Sequence, residues 1–194
     1  MLDRRTYLVR ERVAFMRLSD TYDLLDAESG ATIGVAQERI SSTVRALRLL
    51  LGKRLLPTRV VLAEYEGGPA HLTIERGPFL FRADVRVLDE AGQLIGRLRS
   101  KLLTIGGGMI VQTPEGEEVG RVNGDLIGWN FAFETGGRRV GTITKKWAGI
   151  GKELFTNADT YVVAVEAERP PRTLTALILA AGIAIDTVFK EKQK

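Results

Sequence analysis

The sequence contains no cysteine and a single histidine, His71, among its 194 residues. Without cysteine the chain has no disulfides, thiolate metal ligands, cysteine nucleophiles or palmitoylation sites. A lone histidine offers no partner for a metal site or a catalytic triad, so we interpret His71 as an ordinary strand residue. The motifs of P-loop nucleotide-binding proteins, zinc proteases and serine hydrolases are missing too. We therefore expect a protein that is not an enzyme and needs no cofactor.

The sequence also lacks a segment long and apolar enough to span a bilayer simply. Residues 173–185 are uncharged and consist mostly of Leu, Ile and Ala. As a helix these thirteen residues would measure about 20 Å, against a hydrocarbon core of about 30 Å. Extending the helix to residue 189 would bury Asp186 in lipid. Because apolar residues lie on every side, we expect a helix enclosed by strands rather than a membrane anchor.

No secretory leader follows the N-terminal arginines, so we expect a cytoplasmic protein, with peripheral association with a membrane left open. Hydrophobic residues make up 44% of the chain and charged residues 27%, which is ordinary for a folded protein. A length of 194 residues fits one domain over residues 1–194.

One pattern occurs four times along the chain. An apolar alternating run leads to a turn with glycine, and a second glycine follows four residues later. The glycine pairs are Gly30/Gly34, Gly92/Gly96, Gly116/Gly120 and Gly137/Gly141. The first glycine suits a tight hairpin turn, favoured by a preceding Asp26, Asp89 or Glu115, and the second marks a bulge or a close backbone approach. We interpret these segments as hairpins and the glycines as structural.

Similar alternation elsewhere raises the expected number of short strands to about twelve. Meander order and the need to avoid exposed strand edges favour a closed antiparallel barrel. The sequence thus predicts a mainly β fold in which the barrel surrounds the apolar C-terminal helix.

The net charge of +4 is concentrated in one segment. Residues 39–59 contain six basic side chains and no acidic one, whereas the rest of the chain has 22 basic and 24 acidic residues. Apolar spacing predicts an amphipathic helix over residues 42–56, ended by Pro57. Such a helix could bind an anionic membrane surface, or it could cover one end of the barrel with its arginines merely solvated. The candidate lipid-binding residues here are Arg45, Arg48, Lys53 and Arg54.

A second candidate lipid-binding patch is formed by Lys145, Lys146 and Trp147. An indole beside lysines suits a membrane interface and a phosphate group. The alternative is that Trp147 closes the barrel end while the lysines are solvated.

Three stretches resemble the C-terminal half of phospholipid scramblases and LURP-one-related proteins. They are residues 128–131 (GWNF), 140–147 (VGTITKKW) and 152–161 (KELFTNADTY). The segment Arg54 to Pro57, the hairpin with Asp89 and Gly92, and the final helix with Asp186 fit in the same order. The resemblance implies a Tubby-like fold, a twelve-stranded barrel around a hydrophobic helix.

The resemblance also implies association with phospholipids, although this superfamily spans several functions. We expect a non-catalytic module that binds anionic phospholipid surfaces, with lipid scrambling as a further variant. The alternative is a soluble barrel that binds a protein partner. Nucleic acid is not an expected partner, since no motif for it accompanies the basic segment. An exposed apolar stripe over residues 42–56 would favour the membrane.

Two departures from the family pattern matter. The calcium segment proposed for scramblases begins with Asp-Ala-Asp, but Asn157 and Asp159 bracket Ala158 here. The following positions Tyr161, Val163 and Val165 offer no carboxylate, so we expect no calcium site. This sequence shows neither the Pro-rich extension nor the palmitoylated cysteines of eukaryotic scramblases, so we do not expect the usual second membrane anchor.

Overall fold

The computed structural model describes residues 1–12, 19–48, 50–51, 55–78, 82–100, 108–145 and 160–189. Two helices are found in these residues, α1 (Ser42–Leu47) and α2 (Arg172–Phe189). The strands are β1 (Thr6–Glu11), β2 (Thr21–Asp26), β3 (Thr32–Glu38), β4 (Thr58–Ala63), β5 (Leu72–Arg76), β6 (Asp84–Leu88), β7 (Leu94–Ser100), β8 (Gly108–Gln112), β9 (Glu118–Asp125), β10 (Asn130–Thr135), β11 (Arg138–Thr144) and β12 (Thr160–Val165).

Each strand pairs with its neighbours in the chain, and β1 pairs with β12 to close the barrel. All pairings are antiparallel, for example Leu8 opposite Val162 across the closing seam. A closed meander leaves no strand edge open to another chain. The predicted mainly β fold with about twelve strands is confirmed.

The four predicted hairpins are β2–β3, β6–β7, β8–β9 and β10–β11, and each contains a register shift close to its turn. Gly30, Gly92, Gly116 and Gly137 all have positive φ, between 69° and 97°. The second glycine of every pair lies opposite the residue next to the shift, as Gly96 lies opposite Val87. The two glycines of the repeat therefore have the turn and bulge roles that the sequence predicts.

Helix α2 passes through the barrel and is surrounded by the inward side chains of the strands. Its residues from Ala176 to Ile185 are all buried, including Gly182. Close approach is possible because glycines lie at the contacts. A Cβ added at Gly141 would come within 2.9 Å of Ile178, and one at Gly182 within 2.8 Å of Val163. The predicted enclosed helix is confirmed.

One carboxylate lies within this core. The Tyr22 hydroxyl donates to Asp186 Oδ2 at 2.7 Å, and both residues are buried. Burial, and next the charge of Asp186, raise the pKa of Tyr22 well above its usual value. The same two causes raise the pKa of Tyr161. The contact fixes the C-terminal part of α2 to the start of β2.

The two ends of the barrel differ in their connections. In an antiparallel meander the connections alternate between ends, so those after β1, β3, β5, β7, β9 and β11 share one end, here called the loop end. The two longest, residues 39–57 and 145–159, belong to it. The opposite end, the hairpin end, carries the four glycine turns. Asp186 contacts Tyr22 at the start of β2, next to the β1–β2 connection, so α2 ends at the loop end.

Candidate functional site

The β3–β4 connection carries the first predicted site, and its helix is shorter than predicted. Helix α1 covers Ser42–Leu47, whereas the apolar spacing predicts residues 42–56. Ser41 caps its start, accepting from the Val44 backbone amide at 3.2 Å, and Arg48 ends it. No residue of α1 is buried. Short helices persist mainly by packing an apolar face, and with no such packing the helical period does not continue.

Arg48 and Glu38 form a buried ion pair beneath α1. Arg48 Nη1 donates to Glu38 Oε2 at 2.8 Å, and Nη2 donates to the second carboxylate oxygen. Both side chains are only 2% exposed. Glu38 also accepts from the Asp20 amide at 3.1 Å. The Arg48 side chain therefore points inward and links α1 to the end of β3. In this it differs from Arg45, which is exposed.

Four leucines of this connection are exposed. Leu50 is 83% exposed, and the others are close to two fifths exposed. We call this group the leucine patch: Leu47, Leu50, Leu51 and Leu55. Arg45 is exposed beside it and forms no ion pair within the part of the chain that the structure describes. Lys53 and Arg54, the other two predicted residues of this segment, lie outside the described residues.

The second predicted patch is described only at Lys145. The Lys145 amide donates to the Trp129 carbonyl at 3.1 Å, and its ammonium lies 5.0 Å from the Trp129 ring centroid. Trp129 has a φ of 49° and packs edge-on to Phe131. Among the described residues, the indole at this part of the loop end is therefore that of Trp129. The Lys145 ammonium makes a cation–π contact with it. Lys146, Trp147, Asn157 and Asp159 lie outside the described residues.

Arg45 and Lys145 both lie at the loop end but not on the same side of it. Around the barrel, β12, β1 and β2 stand between the β11–β12 connection and β3. The two residues therefore lie at the same end of the barrel but at different positions around its circumference. The fold does not merge them into one pocket.

A family model described as Scramblase matches residues 85–192, which is more than half of the chain. The chain belongs to the scramblase family. The comparison with curated proteins finds no match, and neither does the comparison with solved structures. Membership of this family implies association with membranes or phospholipids.

In this scramblase-family protein the matched range runs from β6 through α2. It therefore includes Lys145 and the enclosed helix, while Arg45 and the leucine patch precede it. Neither helix of the described residues is both long and apolar enough to cross a bilayer. Within the same residues, no group of His, Asp or Glu side chains is placed to hold a metal ion.

The scramblase-family barrel also assembles a basic cleft that the sequence analysis does not anticipate. It has a volume of about 380 Å³ and lies between α1 and residues of β4, β5 and β6. Four arginines and one glutamate line it: Arg39, Arg59, Arg76, Arg86 and Glu75. Arg39 and Arg59 belong to the basic segment of the sequence, but Arg76 and Arg86 come from later strands. Cross-strand register brings them together, and a linear charge count cannot show that.

Proposed function

We propose that this protein is a non-catalytic module that binds anionic phospholipid surfaces through the leucine patch and Arg45. The exposure of the leucine patch is the observation that carries the proposal. Large exposed apolar groups in a cluster mark interaction surfaces, and a neighbouring cation matches an anionic membrane. The scramblase family is generally non-catalytic, which agrees with this assignment.

The contacts of Arg48 refine which residues meet the lipid. Its guanidinium is engaged with Glu38 inside the rim, so it holds α1 in place instead of facing a headgroup. Arg45 and Leu50 are both exposed and lie within six positions of each other. Inserted leucines and an interfacial arginine are the combination by which short amphipathic segments bind membranes.

The proposal covers binding at the surface and not lipid transfer across a bilayer. Helix α2, the most apolar segment, is enclosed by the strands. A fluorescent-lipid quenching assay in proteoliposomes, with and without calcium, measures scrambling separately. Transfer above protein-free vesicles would extend the function beyond the present proposal.

Flotation with vesicles containing a rising fraction of phosphatidylserine, at low and high salt, tests the binding. We expect Arg45→Glu to weaken binding roughly tenfold or more, because each basic residue at the surface contributes about 1 kcal/mol and the reversal counts twice. Leu50→Ser should weaken binding at both salt concentrations, since it removes apolar insertion.

Two matched variants control for charge and for lost apolar area. Arg138→Glu makes the same charge change at the hairpin end, and Ile127→Ser removes a side chain that is 93% exposed on the opposite side of the rim. Both should bind as the wild type does. Binding that Arg45→Glu and Leu50→Ser leave unchanged would reject the proposal and favour a soluble barrel with a protein partner.

A further inference from the structure

We infer that the outer wall of the barrel at β6 and β7 binds an acidic segment of a partner protein in an extended conformation. This inference goes beyond the proposed membrane binding and concerns a separate surface. It is carried by three arginines that lie around the carboxylate of Asp84. We call them the arginine band: Arg82, Arg97 and Arg99.

The alternation of the strands turns the arginine band outward. Leu98, which separates Arg97 from Arg99, is fully buried in the core, and Ala83, which follows Arg82, is fully buried as well. Successive side chains of a strand point to opposite faces, so the arginines lie on the outer face of the barrel. The side chains of Arg97 and Arg99 are 37% and 39% exposed, and Arg82 is exposed. A partner can therefore reach the band from solvent.

Positive charge in the band exceeds the negative charge beside it. Asp84 Oδ2 lies 4.0 Å from Arg97 Nη1 and 3.8 Å from Arg99 Nε. Both separations are too long for hydrogen bonds, and the Nε of each arginine has no hydrogen-bond partner within the described residues. Arg82 Nε donates to the Ser100 carbonyl at 3.2 Å, and Arg82 forms no ion pair in the same part of the chain. Three guanidiniums thus face one aspartate, which leaves a formal charge of +2.

The pairing of β6 with β7 adds a contact between like charges. Arg86 lies directly opposite Arg97 in the sheet register. Arg86 is already paired with Glu75, at 3.2 Å, so it is not counted in the band. Like charges directly opposite each other destabilise a sheet. A carboxylate bound at Arg97 would reduce this repulsion.

The spacing of the band matches an extended peptide. Arg97 and Arg99 are two residues apart on one strand, which separates them by about 6.7 Å. Alternate side chains of an extended partner segment recur at the same interval. Two acidic residues separated by one residue can therefore pair with both arginines, and each guanidinium fork can hold a carboxylate through two hydrogen bonds.

Two other anionic partners fit this wall less well. None of the residues of β6, β7 and β8, all of which the structure describes, is aromatic, so a nucleic-acid base finds no stacking surface on them. Ile110, opposite Arg99, instead offers an apolar contact beside the band. Around the barrel, β4 and β5 stand between the α1 connection and β6. A membrane bound by the leucine patch at the loop end would leave the band in water.

The test measures the binding of two fluorescein-labelled peptides of equal composition by fluorescence anisotropy. Ser-Glu-Val-Glu-Ser has its glutamates at alternate positions, and Ser-Val-Glu-Glu-Ser has them adjacent, so that in an extended chain they point to opposite sides. We expect the wild type to bind the alternating peptide several-fold more tightly. Arg97→Gln/Arg99→Gln should weaken that binding about tenfold or more, because two charge-assisted contacts are lost.

Circular dichroism checks that Arg97→Gln/Arg99→Gln folds, and Arg82→Gln, which changes one exposed side chain, should weaken binding to a smaller extent. The matched control is Arg138→Gln/Arg169→Gln, which removes the same charge from exposed positions at the hairpin end. It should bind the alternating peptide as the wild type does. Absence of peptide binding, equal binding of the two peptides, or binding that Arg97→Gln/Arg99→Gln leaves unchanged would overturn the inference.

Flotation with phosphatidylserine vesicles separates this inference from the proposed membrane binding. Arg45→Glu should weaken flotation and leave peptide binding unchanged, so either proposal can fail while the other holds. If Arg97→Gln/Arg99→Gln abolishes flotation and neither peptide binds the wild type, the band belongs to the membrane-binding surface and the inference of a protein partner is wrong.

Discussion

Tyr22 and Asp186 form a polar contact where the rest of the barrel interior is largely apolar. A carboxylate without a hydrogen bond would be costly there, so the Tyr22 hydroxyl offsets the burial of Asp186. The contact also selects one axial position for α2, because sliding the helix would separate the pair. In the sequence, Asp186 stands out because it interrupts an apolar run. The sequence does not show that Tyr22 is its hydrogen-bond partner.

The buried tyrosines should limit stability at high pH. Burial, the largest cause, raises the pKa of Tyr22 and Tyr161 well above the usual value and that of Tyr7 to about 12. The unfolded chain ionises these phenols near pH 10, so their contribution is complete below about pH 10 and is lost as the pH rises further. We expect the free energy of unfolding to fall above that pH.

The measurement follows phenolate absorbance and circular dichroism together during an alkaline titration. A Tyr65→Phe background removes the exposed phenol and leaves Tyr7, Tyr22 and Tyr161. The absorbance should rise together with the loss of β structure. Phenolate absorbance that is complete while the fold persists would contradict the prediction.

The second glycine of each hairpin lies where neighbouring atoms leave no room for a side chain. A Cβ at Gly141 would lie 2.9 Å from Ile178 and 3.0 Å from the Ala164 carbonyl, and a Cβ at Gly120 would lie 2.5 Å from the Glu134 carbonyl. Backbone atoms of a closed barrel cannot move away cheaply. We expect Gly141→Ala and Gly120→Ala each to lower the free energy of unfolding by about 1 to 3 kcal/mol, as measured in urea.

Gly77→Ala is the matched control for these two variants. Nothing lies within 4 Å of its added Cβ, and its φ is not in the left-handed region. The same substitution there should leave stability unchanged or raise it by a few tenths of a kcal/mol, because alanine restricts the unfolded chain. An equal loss at all three positions would contradict the crowding explanation, because no atom lies close to the Cβ added at Gly77.

The sequence predicts well those secondary-structure elements whose formation depends on residues close by in the chain. The hairpins follow from turn chemistry within ten residues, as in the Asp89 side chain accepting from the amides of Ala91 and Gln93. Helix α2 follows from its uniform apolarity. By contrast, the length of α1 depends on whether a packing partner exists, and the inward turn of Arg48 depends on Glu38, ten positions earlier. Such contacts are set by the barrel's register, which the spacing does not encode.

Basic side chains are unevenly distributed over the molecule, and counting charges along the sequence shows only part of this distribution. Residues 39–59 supply Arg39, Arg45 and Arg59, and the register adds Arg86 and Arg97 on the neighbouring strands. Across the rim, Ile127 follows Asp125, whose carboxylate accepts from the Ile127 amide at 2.9 Å. Among the described residues, the α1 side of the loop end is therefore more basic than the side that carries Ile127. We expect the barrel to tilt toward an anionic membrane on the α1 side.

This tilt can be measured because the chain has no cysteine, so single labelling sites can be introduced without background. We expect an environment-sensitive fluorophore at Leu50→Cys to shift to the blue on vesicles containing phosphatidylserine, because the leucine patch enters the interface. Labels at Ile127→Cys, on the far side of the rim, and at Gln93→Cys, at the hairpin end, should remain in water. Equal shifts at Leu50→Cys and Ile127→Cys would instead indicate docking with the barrel axis upright. A shift confined to Gln93→Cys would place the membrane at the opposite end and contradict the charge argument.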